Sequence, residues 1–336
     1  MAQRTAIRGR QLGHGLNHLV VVTDGPPDTD VHTILAQHPQ VSLVVTNDAW
    51  WGDDYIETLN GRQRVAANLV RVACAEVGNI DWLFFLDGDE VALLDLDVLR
   101  QVPAEAPAVR LWPLESVAQH SSDAGRVFKR LLTKRELRSL RRAGLLERAN
   151  NARFFHGHVS GKVGIRPRPD TRLGVHAAED DRGNKLEAYE DAALRHLHFE
   201  SPTFDEFVRK WTALAASGPP PAMRDRRAEV LRAFPDVQNV DDPAVADDRL
   251  RSLYDDFVLE DTDALDAFGV LERIEVSVPT WTPTPMPSQV LIELEHQIHR
   301  HEQLPKRLFL PATRTTEFVA ARRAVEVQKA TGEAAS

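Results

Sequence analysis

Three carboxylates stand within four residues at the end of an apolar run: WLFFLDGDEV closes on Asp87, Asp89 and Glu90. Along an extended backbone Asp87 and Asp89 project to one side. Like charges so close repel one another unless a cation joins them. Hard oxygen donors with open positions suit Mg²⁺ or Mn²⁺. A metal there would bridge two phosphates and offset the charge growing on a departing diphosphate. The plainer reading is a turn whose carboxylates cap the following element.

Other residues carry chemistry of their own. His196 and His198 lie two apart in ALRHLHF, so on a strand they face the same way, and either is a metal-ligand candidate. His158, Ser160, Lys162 and Arg166 alternate along FFHGHVSGKVGIRP. Lys162 and Arg166 suit phosphate oxygens, and a solvated strand face explains them equally well. The single cysteine, Cys74, sits at an apolar helical position and reads as a buried small hydrophobe. One cysteine allows no internal disulfide, which fits a reducing compartment.

The elements that must position these groups alternate along the chain. Residues 17–23, 41–46 and 82–87 read as strands, with helices predicted over 31–37 and 55–77 between them and a loop over 47–54. A fourth strand is expected over 108–112. Strand–helix alternation of this kind makes a parallel sheet flanked by helices, with ligands at the carboxyl ends of the strands. That rule puts the polar stretches 24–30, 47–54 and 87–90 on one rim. Residues 124–149 read as a basic helical stretch, with Arg126, Lys129, Arg130, Lys134, Arg135, Arg138, Arg141, Arg142 and Arg148 against two glutamates. A hairpin-like β segment is expected over 154–167. Helices follow over 203–216, 243–258, 287–303 and 316–331, with a break at 217–222 and a loose tail at the end.

Composition narrows the function classes. A formal net charge of −9 over 336 residues does not invite nucleic acid, and no nucleic-acid recognition motif accompanies the basic stretch. That stretch reads as a solvated face, or as a contact for an anionic or lipid-linked acceptor at a membrane surface. No apolar run reaches the length of a membrane span and no secretory core opens the chain, so a cytoplasmic protein is expected, with peripheral membrane contact left open.

The segments DGPPDTD, VSLVVTNDAWWG, RQRVAAN and DWLFFLDGDEV together resemble the nucleotide-binding half of the GT-A glycosyltransferases. The likeness is to the bacterial family-2-like group with the pattern W-hydrophobic-FLD-x-DE, well over residues 10–115 and weakly over 150–212. It implies a GT-A-like (Rossmann-like) mixed α/β sheet flanked by helices. Residues 1–115 would form the nucleotide-sugar-binding half, 116–215 an acceptor half with a basic helical insert, and 216–336 a helical C-terminal extension. Asp87 resembles the acidic residue facing the ribose or a metal-bound water, and Asp89 the direct metal ligand. Asp24, or Asp28 in its place, resembles the acidic residue near the base. Arg62 and Asn68 resemble positions near the donor.

The segment ALRHLHFESPTFDEFVRKW resembles the family's His-x-x-x-x-Ser…Phe…Lys segment, whose spacing to Ser201 favours His196 over His198 as the late metal ligand. The activity implied is an inverting, Mn²⁺- or Mg²⁺-dependent transfer from a nucleotide-diphosphate sugar to a glycan or lipid-linked acceptor. Inversion calls for a base on the acceptor hydroxyl, and Asp180, between Glu179 and Asp181, is the candidate. The family's pattern also has a strand about one helix ahead of NHLVVVT, and residues 6–15 read as the helix that would follow it.

Two other readings stay in view. FFLDGDEV fits the Asp-x-Asp-x-Val start of haloacid-dehalogenase-type phosphatases, where the first Asp is the nucleophile. A GT-A-like chain can also serve as an inactive binding subunit.

Overall fold

The computed structural model describes residues 15–24, 29–120, 124–216, 225–275, 284–310 and Arg323. The expected helices over 6–15 and 316–331, apart from Gly15 and Arg323, the break at 217–222, the C-terminal tail and Asp28 lie outside the described residues.

The chain opens with β1 (Leu19–Asp24), α1 (Thr29–Ala36) and β2 (Val41–Thr46), and β1 and β2 pair in parallel. The predicted loop that follows is instead a helical turn, α2 (Asp48–Trp51). Asn47 caps it by accepting from the Trp50 N–H at 3.0 Å, and burial of Trp50 and Trp51 holds it. Next comes α3 (Leu59–Val77), whose Val65, Leu69, Val72 and Ala73 are buried, and Gly78 ends it in the left-handed conformation at φ 77°.

The apolar run after α3 has only Leu83–Phe84 in ladder hydrogen bonds, as β3. Both its faces are nevertheless covered, with Trp82, Phe84 and Leu86 against one cluster and Leu83 and Phe85 against another. The expected strand stops early because the chain turns at Gly88, where the Glu90 N–H donates to the Asp87 carbonyl at 3.0 Å. There follow β4 (Glu90–Leu93), α4 (Leu96–Gln101) and β5 (Ala108–Ser116).

The basic stretch is not one helix. Val127–Lys129 forms a strand, β6, and the helix α5 runs over Lys134–Arg142. A reciprocal capping box of Thr133 and Glu136 starts α5. The expected hairpin over 154–167 is absent as well: α6 (Asn151–Phe154) leads to β7 (Lys162–Ile165), which pairs with β5 and β3. Gly161 makes this possible, because at φ 71° any Cβ would collide with the Leu111 carbonyl of β5.

The chain continues through β8 (Thr171–Leu173), β9 (Ala178–Asp180), β10 (Ala188–His198), α7 (Phe204–Ala215), α8 (Asp225–Gln238), α9 (Pro243–Phe257), α10 (Thr262–Ala267), β11 (Leu271–Arg273) and α11 (Ser288–Glu302). Among the described residues the main sheet has seven strands, with β11-β6-β5-β10-β4 in order and β7 joining β5 to β3. It is a mixed sheet: β10 is parallel to β5 and antiparallel to β4. The fold is thus a mixed α/β architecture with helices flanking the sheet. Helices α8 and α9 pack on α7 through Phe207, Trp211, Phe234 and Tyr254, whereas α11 lies on α3 through Leu294 and Ile298. No described helix is long and apolar enough to cross a membrane.

Candidate functional site

The register of the main sheet builds the site. Glu90 of β4 pairs with His198 of β10, His198 lies beside Glu115 of β5, and Glu115 pairs with Lys129 of β6. Four charged or ionisable residues therefore form a row across four adjacent strands. The neighbouring positions Val91, Leu114, Leu197 and Phe128 form an apolar cluster with Phe199. Period-two alternation makes one end of the sheet polar on one face and apolar on the other.

The turn at Gly88 divides the acidic motif between two lysines. Asp87 accepts from Lys162 Nζ at 2.6 Å and from Gln63 Nε2 at 2.8 Å. Glu90 shares that lysine at 3.1 Å and accepts from the Asp87 N–H at 2.9 Å. Asp89 goes elsewhere: its Oδ2 lies 2.7 Å from Lys210 Nζ and 3.7 Å from His198 Nε2. Glu200 meets the same two groups, at 2.9 Å from Lys210 and 3.2 Å from His198, and is also paired with Arg227.

Glu115 completes this second group, 3.8 Å from His198 Nδ1. It also accepts from the His156 and Gly157 N–H groups and from Lys129 at 2.8 Å. Gly157 is required here, since a Cβ would run into the His198 ring and the Glu115 carboxylate. Glu115, His198 and Glu200 each offer a ligand atom within 4.8 Å of the other two, so this buried group could hold a metal ion. Carboxylate oxygens with one imidazole suit a hard or borderline divalent cation.

The charges are strongly perturbed. Burial alone would raise Asp89, but Lys210 and His198 hold it well below the usual carboxylate range. Burial also opposes ionisation of Glu200, yet Arg227 and Lys210 keep it at about 2. Burial, with too little relief from Lys162, pushes Glu90 up. The Lys162 ammonium is disfavoured by burial but raised overall by Glu90 and Asp87. The two histidines part company. Burial lowers His196 well below its ordinary value, with the His198 and Lys162 charges adding to it, while Asp89 outweighs burial and raises His198.

The remaining candidates fall into place from the same geometry. Asp24 and Arg62 come together, with Arg62 Nε 2.6 Å from Asp24 and its guanidinium over the Tyr55 ring. Arg62 and Gln63, adjacent on α3, thus reach Asp24 at the end of β1 and Asp87 in the turn after β3. Five other candidates are held by partners of their own. His196 faces Glu90 at 3.7 Å and the Leu111 carbonyl, so His198, not His196, stands against Asp89. Asn68 is fully buried, and its amide bonds both backbone groups of Leu173, holding β8 to α3. Lys162 is 1% exposed and taken up by Asp87 and Glu90, which leaves it no free edge for phosphate. Arg166 stacks 4.3 Å from the Trp82 ring and donates to the Val102 carbonyl, at the end of β7 remote from Lys162. Asp180 accepts from the Arg182 and Asn184 N–H groups at 2.8 Å and closes its own turn.

Sequence reasoning missed Glu115, Glu200 and Gln63 altogether. A signal for the first was available, because Glu115 interrupts an apolar strand at its carboxyl end. It missed His176 too. That imidazole donates from Nδ1 to the Gly161 carbonyl at 3.0 Å, which leaves Nε2 as the acceptor, and it stacks on His158 at 4.2 Å between ring centres. Burial, then Lys162, lowers its pKa, and Asp87 and His198 are within electrostatic reach.

No family model, no curated protein and no solved structure matches this chain.

Proposed function

We propose that the chain is a divalent-cation-dependent glycosyltransferase that takes its sugar from a nucleotide diphosphate. One observation carries this reading: Asp89, at the turn after a buried strand, stands 3.7 Å from His198 at the end of the adjacent strand β10 and shares that imidazole and Lys210 with Glu200. Glu115, His198, Glu200 and Asp89 would hold the cation, which when bound supplies positive charge for a departing diphosphate. Lys210 neutralises Asp89 and Glu200 and would give way to it. Lys162 keeps Asp87 and Glu90 compact, and Gln63 orients the Asp87 carboxylate.

At the neighbouring strand end Asp24 is fixed by Arg62, and Tyr55, 54% exposed, offers a ring face to a nucleobase. His176 suits the proton acceptor for an incoming hydroxyl better than Asp180, because its tautomer leaves Nε2 unprotonated.

Thermal melting with UDP and Mn²⁺ tests the reading. UDP with Mn²⁺ together should raise the melting temperature, and EDTA should cancel the rise. Asp89→Ala should melt normally but lose the response. A response undiminished in that variant would sink the metal role. A phosphatase reading has the Lys162–Asp87 contact in its favour, as a lysine beside a nucleophilic carboxylate. Protection by a beryllofluoride phosphoaspartate mimic, without protection by UDP, would select it.

A further inference from the structure

Helix α5 leaves a strongly basic face that neither the fold nor the proposed chemistry uses. At 100° per residue, Lys134, Arg135, Arg138, Arg141 and Arg142 fall on one arc of about 120°. All five are exposed, while Leu137 and Leu140 on the opposite side are buried against Phe154, Phe155, Leu265 and Val270. The one acid of the helix, Glu136, turns away to Arg130 at 2.7 Å and to its own cap. Among the described residues none of the five has an ion-pair partner.

In a chain of net charge −9 this concentration of unpaired cations is the exception. Most of the acidic surface would be repelled by an anionic plane, so such a plane would be met through α5. A row of exposed cations matches the phosphates of an anionic headgroup layer.

We infer that the basic face of α5 is a docking face for anionic phospholipid membranes. Attachment is electrostatic and reversible, because the leucines of α5 are turned inward and cannot insert. It is independent of the transferase chemistry and stands or falls separately.

Flotation of the full chain with vesicles tests it. The protein should float with phosphatidylcholine vesicles containing about 30% phosphatidylglycerol at about 50 mM salt. It should stay behind with pure phosphatidylcholine, and release at about 500 mM salt, where screening shortens the reach of each charge. Arg138→Glu/Arg141→Glu/Arg142→Glu, all at exposed positions, should keep the melting temperature and lose partitioning by more than about a hundredfold. Failure of the native chain to float with anionic vesicles would overturn the inference, as would a triple variant that floats normally. Retention on heparin at about 150 mM salt with no flotation at about 50 mM would overturn the bilayer as partner and point to a soluble polyanion.

Discussion

Two halves of one acidic motif receive different treatment. Asp87 and Glu90 close on Lys162, which is 1% exposed and starts β7 opposite Leu111 of β5. Asp89 joins Glu200 on Lys210, which is 20% exposed and carried on α7. In the first pairing the lysine and Glu90 are enclosed, so they must stay together for the sheet to fold, although Asp87 keeps an exposed edge. The second can be reached from outside, so its ammonium can be exchanged for another cation. Reachability of the lysine, more than exposure of the acids, marks the Asp89 side as the place where a ligand could act.

The largest effect should come from the closed half. Lys162→Met strands Asp87 and Glu90 without their cation and should cost about 3–5 kcal/mol of stability, measured by urea unfolding. A cost as small as that of the corresponding Lys210 change would break the comparison. Lys210→Met should cost only about 1–2 kcal/mol, since water and Arg227 relieve the acids it leaves. It should also tighten Mn²⁺ binding by at least about tenfold in calorimetry, because a competing positive charge is gone. Weaker Mn²⁺ binding would mean that Lys210 organises the acids and does not compete for them.

The histidines sharpen the contrast further. His198→Gln should abolish the Mn²⁺-dependent melting shift, while His196→Gln, on the Glu90 side, should change Mn²⁺ affinity by no more than about tenfold. The reverse result would return the ligand role to His196. The smallest effect lies away from both halves. Burial pushes the Cys74 thiol up to about 12, so iodoacetamide should leave the native chain unmodified and label it once it is unfolded. Rapid labelling of the native chain would show that α3 opens.

Much of the frame was legible in the residues. Apolar runs and turn formers marked β1, β2, α3, β5, α7, α9 and α11, each within a few residues of its observed ends, apart from the longer β5. The candidate site was legible only in part. Asp87 and Asp89 were expected on one side because an extended chain alternates, and the turn at Gly88 removed that premise. His196 and His198 share a strand face, so no spacing argument separates them; the Glu90 and Asp89 carboxylates do. Lys162 and Arg166 share strand parity but lie toward opposite ends of β7 and meet different partners. Asn68 was expected near the donor, and β8 covers it.

What the residues determined alone was local: which segments are apolar enough to be buried, where helices are capped, and that acids cluster after a buried strand. Hydrophobic periodicity and cap chemistry act within a few neighbours, so they can be read along the chain. The tertiary structure alone decided which acid meets which cation. The row Glu90–His198–Glu115–Lys129 exists because β4, β10, β5 and β6 align in one register. Strand order and register depend on contacts between distant segments, and charge balance depends on burial that only those contacts create.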